Sequence, residues 1–313
     1  MTLPLIPQVM EWAWEEKVSS TETMMRMREE ERKCFENQGS KTLERTARLG
    51  ALRCLAMLME GMAESFLFKA ALLLDRYSSC CANLPKLPLT CAAIARIMAK
   101  LNVGGWYDQN FLLAEMSAGQ LTVAKDFATW VGTTFDCMTE EITNSTLKEH
   151  ELEVLKALDW KVDCPCLEQW LLMFSVRFNG LTGGQNTVQL QMMMQSILHS
   201  SHAILMSETV AQKLSHGDLA MGLFCANVLL LLHGDSPLMS LKPYEVSEME
   251  WSGLFTSLAA CKPGKADRAS GEASSRLLDT LCLTVQQNEK EIGEKVHHAV
   301  REYQNAFGRI SVI

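Results

Sequence analysis

Residues 87 to 100 read Leu-Pro-Leu-Thr-Cys-Ala-Ala-Ile-Ala-Arg-Ile-Met-Ala-Lys, and this stretch decides the fold. Apart from Arg96 and Lys100, the side chains are apolar or small on every side of the helix that it predicts. A helix that is hydrophobic all round is normally enclosed by other elements. We therefore predict a helix over residues 88–101 that forms the central post of an all-α domain. Lys100 lies at its carbonyl end, where a cation is favoured.

The composition is that of a globular chain with a substantial core. The 313 residues are enough for one large or two ordinary domains, and 48% of them are hydrophobic against 21% charged. With only 8 prolines and 18 glycines, long stretches of the chain are free to be helical. The net charge of −8 disfavours broad contact with a phosphate backbone, so we expect no nucleic-acid partner.

The cysteines and the apolar runs indicate the compartment. The 11 cysteines are scattered without the spacing of a disulfide framework, and residues 1–6 lack the pattern of a signal peptide. We therefore expect an intracellular protein with free thiols, in the nucleus and/or the cytoplasm. The longest apolar run, around residues 228–232, is too short to cross a bilayer, so we expect no membrane partner.

Helical periodicity continues on both sides of the central helix. The other predicted helices cover residues 5–36, 42–61, 65–78, 108–117, 121–140, 166–178, 187–207, 216–233, 244–260, 274–287 and 289–306. One more helix begins at a capping box of Thr146 with Glu149 and ends before Pro165, with Glu151 in its first turns. The compositions of residues 180–185 and 261–275 predict loops.

Three segments carry a family resemblance. They are Leu-Leu-Leu-Asp-Arg-Tyr-Ser-Ser at residues 72–79, the central helix at 87–100, and Glu-Leu-Glu-Val-Leu-Lys-Ala-Leu-Asp-Trp-Lys-Val-Asp-Cys-Pro-Cys-Leu-Glu-Gln-Trp-Leu at residues 151–171. In that order they resemble the cyclin box. Residues 300–303, Val-Arg-Glu-Tyr, are similar to the tail of A- and B-type cyclins.

The resemblance implies an architecture of two tandem five-helix cyclin folds preceded by an N-terminal helix. The N-terminal helical segment would cover residues 1–40 and the cyclin box residues 41–163. The C-terminal cyclin-like fold would then cover residues 164–313.

The resemblance also implies a function. Cyclins are regulatory subunits that bind and activate a cyclin-dependent Ser/Thr protein kinase, so the expected assembly is a heterodimer with such a kinase, in cell-cycle control. Lys100 and Glu151 match the two cyclin residues that hydrogen-bond the kinase helix carrying the catalytic glutamate. Asp75 matches the family's structural aspartate, for which Arg48 and Arg45 are both candidate partners. No enzymatic activity and no cofactor are implied.

This chain departs from the family pattern in two places that concern function. The residues of the substrate-docking patch of cell-cycle cyclins would fall at Leu52, Leu55 and Pro88, none of which has the expected type. Lys100 and Glu151 are farther apart in sequence than the family leads us to expect, and the extra chain falls at 102–122. A cyclin-fold scaffold or a transcription-related protein that does not activate a kinase is therefore the alternative function.

Other candidate sites have simpler interpretations. Lys100 alone could be a helix-end lysine in solvent, and Glu151 alone an acid that favours the helix dipole. Cys164-Pro165-Cys166 with His199 and His202 fits no standard zinc spacing, so we predict no metal site. Neither a phosphate-binding loop nor a nucleophile motif is present, which indicates a protein that is not an enzyme.

Overall fold

The computed structural model describes residues 21–36, 43–59, 64–81, 86–102, 142–185, 187–205, 215–232 and 268–310. Within these ranges the chain is all-α, as predicted, and no residue is in a strand. The helices are α1 Thr21–Phe35, α2 Arg45–Leu58, α3 Glu64–Cys80, α4 Leu87–Asn102, α5 Asn144–Ala157, α6 Leu167–Leu181, α7 Thr187–Leu205, α8 His216–Leu232, α9 Arg268–Val285 and α10 Glu289–Ile310. The helices predicted at 108–117, 121–140 and 244–260 lie outside the described residues, as does the extra chain from 103 onward.

Two predicted boundaries were wrong. Helix α5 is capped by Thr143 rather than by the Thr146–Glu149 box: Thr146 N–H donates to Thr143 Oγ1 at 3.2 Å, and Thr143 N–H donates to Thr146 Oγ1 at 2.9 Å. Glu151 therefore lies beyond the first two turns of α5. Helix α9 begins at Arg268, inside the predicted loop, because the Ala and Glu residues of its first turns favour a helix despite one glycine.

The chain divides into two compact units. The N-terminal unit is Glu30–Cys166, and the C-terminal unit is Leu167–Ile313 together with the chain up to Glu29. The predicted domain boundary at 163 differs by a few residues from this division. The predicted separate segment at 1–40 does not correspond to a unit, because the residues of α1 are divided between the two.

Helix α4 is the centre of the N-terminal unit. Every residue from 87 to 99 is buried, and α2, α3 and α5 all pack against this helix. The prediction of a central post is thus confirmed in the described residues. Because its sides are apolar all round, burial of the whole helix is the main hydrophobic contribution that orders its neighbours. Lys100 is the first exposed residue at its end.

The C-terminal unit has an aromatic core on α6 and α8. The ring of Phe174 lies 5.7 Å from that of Trp170 and 5.9 Å from that of Phe224, and Phe178 lies edge-on to Phe224 at 6.0 Å. All four side chains are almost fully buried. Such ring pairs add about 1 kcal/mol each beyond the area that they bury. Helices α7 and α10 pack on α8, and α9 packs on α6.

Two arginines of the C-terminal unit cap the last turn of α9. Arg177 donates from Nε to Thr284 O at 2.9 Å and from Nη2 to Leu283 O at 3.1 Å. Arg28 donates from Nη2 to Val285 O at 2.6 Å, which ties α1 to the same helix end. Burial and the nearby charge of Arg28 lower the pKa of Arg177. The carbonyls at the negative end of the helix offset this repulsion.

Helices α8 and α10 approach each other closely at Gly222. A Cβ atom at this position would lie 2.4 Å from Lys295 O and 2.6 Å from Ala299 Cβ. Beside this crossing, Lys295 Nζ forms an ion pair with Asp218 at 2.5 Å. Since the nearest obstacle is backbone, no side-chain rotation can make room for even a methyl group.

Gly222→Ala should therefore destabilise the protein although alanine is the better helix former. We expect the free energy of unfolding to fall by about 2 kcal/mol, because separating α8 from α10 outweighs the gain in helix propensity. The matched control is Gly293→Ala on α10, where nothing lies within 4 Å of the added Cβ. It should leave stability unchanged or raise it by up to about 1 kcal/mol. Urea unfolding of both variants measures the difference, and equal stabilities would contradict the close approach.

Candidate functional site

Lys100 and Glu151, the two candidate partner-binding residues, contact each other in the structure. Lys100 Nζ donates a hydrogen bond to Glu151 Oε1 across a sequence separation of 51 residues. The Lys100 side chain is 47% exposed, whereas that of Glu151 is only 8% exposed. The end of α4 and the middle of α5 thus meet at a carboxylate that is nearly buried and a lysine that reaches solvent.

Arg96 is a second cation on the same carboxylate. Its Nε lies 3.1 Å from Glu151 Oε2, and its side chain is 5% exposed. Nε and Nη1 form no hydrogen bond to a described residue, so the contact with Glu151 is an ion pair without hydrogen-bond alignment. Arg96 precedes Lys100 by four residues, which places both on one face of α4. Arg96 was not predicted as a site residue, although its i, i+4 spacing to Lys100 in the sequence places the two cations together on a helix.

Arg96 and Lys100 have different roles in compensating the charge of Glu151. Removing a carboxylate from water costs several kcal/mol, and a nearby cation must compensate for it. Arg96 is buried beside Glu151 and cannot leave, whereas Lys100 is half in water. If Lys100 turns toward another acceptor, Glu151 keeps its charge compensated by Arg96. Lys100 is therefore the exchangeable member of the cluster, and its departure exposes the Oε1 atom of Glu151.

Exposed apolar side chains stand next to the cluster in sequence. Leu101 follows Lys100 and Leu152 follows Glu151, and both are more than 40% exposed. Farther along, the Trp160 side chain is 60% exposed. Asp159 and Trp160 both have a positive φ, of 52° and 60°, in a turn closed by the bond from Trp160 N–H to Leu155 O at 2.8 Å. Large apolar groups in solvent beside a charged cluster are typical of a protein-binding surface.

Asp75, the predicted structural aspartate, is paired with Arg48, which is one of its two candidate partners. Arg48 donates from Nε to Asp75 Oδ1 at 2.8 Å and from Nη2 to Asp75 Oδ2 at 2.9 Å. The Arg48 side chain is buried, so this two-pronged bond fastens α2 to α3 from within. The side chain of Arg45, the other candidate, lies outside the described residues.

A chain of hydrogen bonds connects a threonine, a histidine and a glutamate next to the cluster. His150 Nε2 is 2.9 Å from Thr90 Oγ1, and His150 Nδ1 is 2.7 Å from Glu153 Oε2. The spacing is that of a nucleophile, a base and an orienting acid. However, Thr90 is 0% exposed, so no substrate can reach its oxygen. The arrangement instead joins α4 to α5 at the residue that precedes Glu151.

The described residues also bear on metal binding and on membrane crossing. Among the residues that the structure covers, no group of three or more His, Cys, Asp or Glu side chains could hold a metal ion. Cys164 and Cys166 are buried, and the side chains of His199 and His202 lie outside the described residues. None of the described helices combines the length and the hydrophobicity needed to cross a membrane.

Comparisons with known proteins do not add to this picture. No protein-family model, curated protein or solved structure matches the chain. The resemblance to cyclins therefore rests on the motifs around Asp75, Lys100 and Glu151. The function is accordingly inferred from the geometry of this cluster.

Removing the buried cation should cost more stability than removing the exposed one. Arg96→Met leaves a nearly buried carboxylate with only a half-exposed partner, and we expect the free energy of unfolding to fall by about 3 kcal/mol. Lys100→Met should lower it by less than about 1 kcal/mol. Adding Glu151→Gln to Arg96→Met should recover part of the loss, because no uncompensated charge remains. Chemical unfolding measures all three, and equal losses from the two single variants would contradict the assignment.

Proposed function

We propose that this protein is a cyclin-like regulatory subunit that binds and activates a cyclin-dependent Ser/Thr protein kinase. The observation that carries the proposal is the contact between Lys100 and Glu151. It joins two helices that each bear a cyclin-like motif, and it leaves the lysine accessible. The proposal includes the finer architecture, in which each compact unit is built around one five-helix cyclin fold.

The chemistry of the cluster suits the recognition of a helix in the partner. A lysine has three donors for free carbonyls, and a carboxylate accepts from free amides. In the proposed complex Lys100 exchanges Glu151 for kinase carbonyls, and the freed Oε1 atom accepts from kinase N–H groups. Arg96 stays behind and keeps the Glu151 charge compensated. The exposed Leu101 and Leu152 supply apolar contact around these polar bonds.

Activation follows from preferential binding of one kinase conformation. Phosphoryl transfer by protein kinases requires an ion pair between a lysine and the glutamate of the bound helix. A subunit that binds the inward position of this helix more tightly shifts the population toward it. The protein itself performs no chemical step in this mechanism.

The alternative function, a cyclin-fold scaffold that does not activate a kinase, is favoured by one observation. The positions that match the cyclin substrate-docking patch include Leu52 and Leu55, and both are 0% exposed. Pro88 is buried as well. These three residues belong to the core around α4 and cannot receive a substrate peptide. Any substrate recruitment must therefore use another surface.

Lys100→Glu should abolish kinase binding while the helical fold remains. The substituted carboxylate repels Glu151 and offers no donor to the kinase, so affinity should fall at least about a hundredfold. The matched control is Lys290→Glu, a charge reversal at a lysine whose side chain is 86% exposed in the C-terminal unit. Circular dichroism checks the fold of both variants. Binding that survives Lys100→Glu unchanged would refute the contact.

The partner can be identified with the same variants. Wild type and the double variant Lys100→Glu, Glu151→Lys are used to capture proteins from a native lysate, followed by mass spectrometry and a kinase assay. A Ser/Thr kinase that wild type retains and the double variant loses is the expected outcome. If both retain the same proteins and none has kinase activity, the scaffold function is correct instead.

A further inference from the structure

Two thiols pack against each other inside the N-terminal unit. Cys34, near the end of α1, and Cys164, which precedes α6, form an apolar cluster with Leu72 and the partly buried Phe35. Cys34 is 8% exposed and Cys164 is 1% exposed. The two thiols therefore lie in one packed cluster, and the charge of each acts on the other. Both cysteines are free thiols in the structure.

The charge of a buried arginine acts on both thiols of this pair. Arg76 is 3% exposed, and its Nη1 donates to Lys161 O at 2.6 Å. Its Nε has no hydrogen-bond partner among the described residues. In contrast to Arg48 and Arg96, it forms no ion pair with a described Asp or Glu. A nearby anion lowers the cost of burying a cation, and a thiolate is the anion that the adjacent cysteines can provide.

The charges around the pair make the two thiols unequal. The hydrogen bond from Cys164 lowers the pKa of Cys34 to about 7, and the charges of Arg76 and Lys161 act in the same direction, against burial and Glu30. The same hydrogen bond raises the pKa of Cys164, and burial and Glu31 add to this. Cys34 is therefore the thiol of the pair that gives up its proton more readily, and it is also the more exposed of the two.

The chain contains a second thiol pair that lacks this environment. Cys54 and Cys91 are both 0% exposed, and the thiol of Cys54 acts on that of Cys91. Their hydrogen bond and their burial raise the pKa of Cys91 well above its usual range. Cys91 Sγ also donates to Ala51 O at 3.7 Å, as expected of a protonated thiol. This pair serves as a control for packing alone.

We propose that Cys34 and Cys164 form a peroxide-sensitive dithiol, in which Arg76 stabilises the Cys34 thiolate and Cys164 closes the disulfide. The thiolate of Cys34 attacks one oxygen of hydrogen peroxide, the S–O bond forms as the O–O bond breaks, and the departing hydroxide takes a proton to become water. Cys164 sulfur then attacks the Cys34 sulfenic acid. The thiol proton and the displaced hydroxide leave as a second water. The two thiols give up two electrons, and one peroxide is reduced to two waters.

The site selects for a small oxidant. Only a small fraction of Cys34 reaches solvent, and Phe35 and Leu72 line the cluster, so hydrogen peroxide fits better than a bulky disulfide. The bond would join residue 34 to residue 164, and the chain between them includes α2 to α5 with Lys100 and Glu151. Such a long closed loop restricts the unfolded chain, so the oxidised unit should resist unfolding more strongly than the reduced one. The inference does not depend on kinase binding.

The test uses the full-length protein in its native state. After brief exposure to a low excess of hydrogen peroxide at pH 7, free thiols are alkylated, and the peptides are mapped by mass spectrometry without reduction. We expect a Cys34–Cys164 linked peptide to appear at least about tenfold faster than any oxidation of Cys54 or Cys91, because both control thiols are 0% exposed and the pKa of Cys91 is raised. Equal rates at the two pairs, or no Cys34–Cys164 link, would overturn the proposal.

Two further measurements separate the roles of the thiols. The alkylation rate of Cys34 in the wild type should rise with a midpoint near pH 7, because protonation below this value removes the nucleophile. A midpoint at the ordinary thiol value of about 8.5 would contradict the stabilisation of the Cys34 thiolate by Cys164 and the neighbouring cations. In Cys164→Ser the hydroxyl can still donate to Cys34, so a sulfenic acid should accumulate there and react with a dimedone-type probe. Absence of this adduct would refute Cys34 as the attacking thiol.

Discussion

The N-terminal unit depends on the burial of α4 from residue 87 to residue 99. Because apolar side chains cover this helix on all sides, α2, α3 and α5 must enclose it. Each of its two cations must then either pair with a carboxylate inside the unit or reach water. Arg96 lies within the buried length and requires a carboxylate, which Glu151 supplies from α5. Lys100 lies where the helix leaves the core, so it can share that carboxylate and still reach water. The position and the chemistry of the candidate site thus follow from one hydrophobic helix and its two charges.

The sequence predicted the helices well where periodicity and burial coincide, as in α4, α8 and the two helices that flank residues 182–185. It failed where two local signals competed. Thr143 and Thr146 offered overlapping caps for α5, and only the packed structure selects the first. Helical periodicity also cannot predict which residues of two helices meet. The contacts of Arg96 with Glu151 and of Thr90 with His150 depend on how α5 is rotated about its axis relative to α4. Lys100 and Glu151 were found by resemblance to a family, not by helical pattern.

Buried arginines organise the N-terminal unit in two chemically different ways. Arg48 and Arg96 each face a carboxylate, that of Asp75 and that of Glu151, and these ion pairs fasten neighbouring helices to each other. The proposed anionic partner of Arg76 is the sulfur of Cys34, whose charge depends on protonation and oxidation state. The same kind of cation therefore gives a fixed fastening in the first case and a chemically responsive one in the second. The difference arises from which residue of the neighbouring segment meets the guanidinium group.

The crossing of α8 and α10 has a consequence for the search for related chains. Its spacing allows only hydrogen at residue 222, and the facing position 299 is occupied by a small alanine. Overall similarity can vanish while such a steric requirement persists, because it is set by backbone distance and not by surface chemistry. A glycine in an apolar helix, followed some eighty residues later by a small residue in an amphipathic terminal helix, therefore provides a marker for distant homologues that whole-chain comparison does not detect.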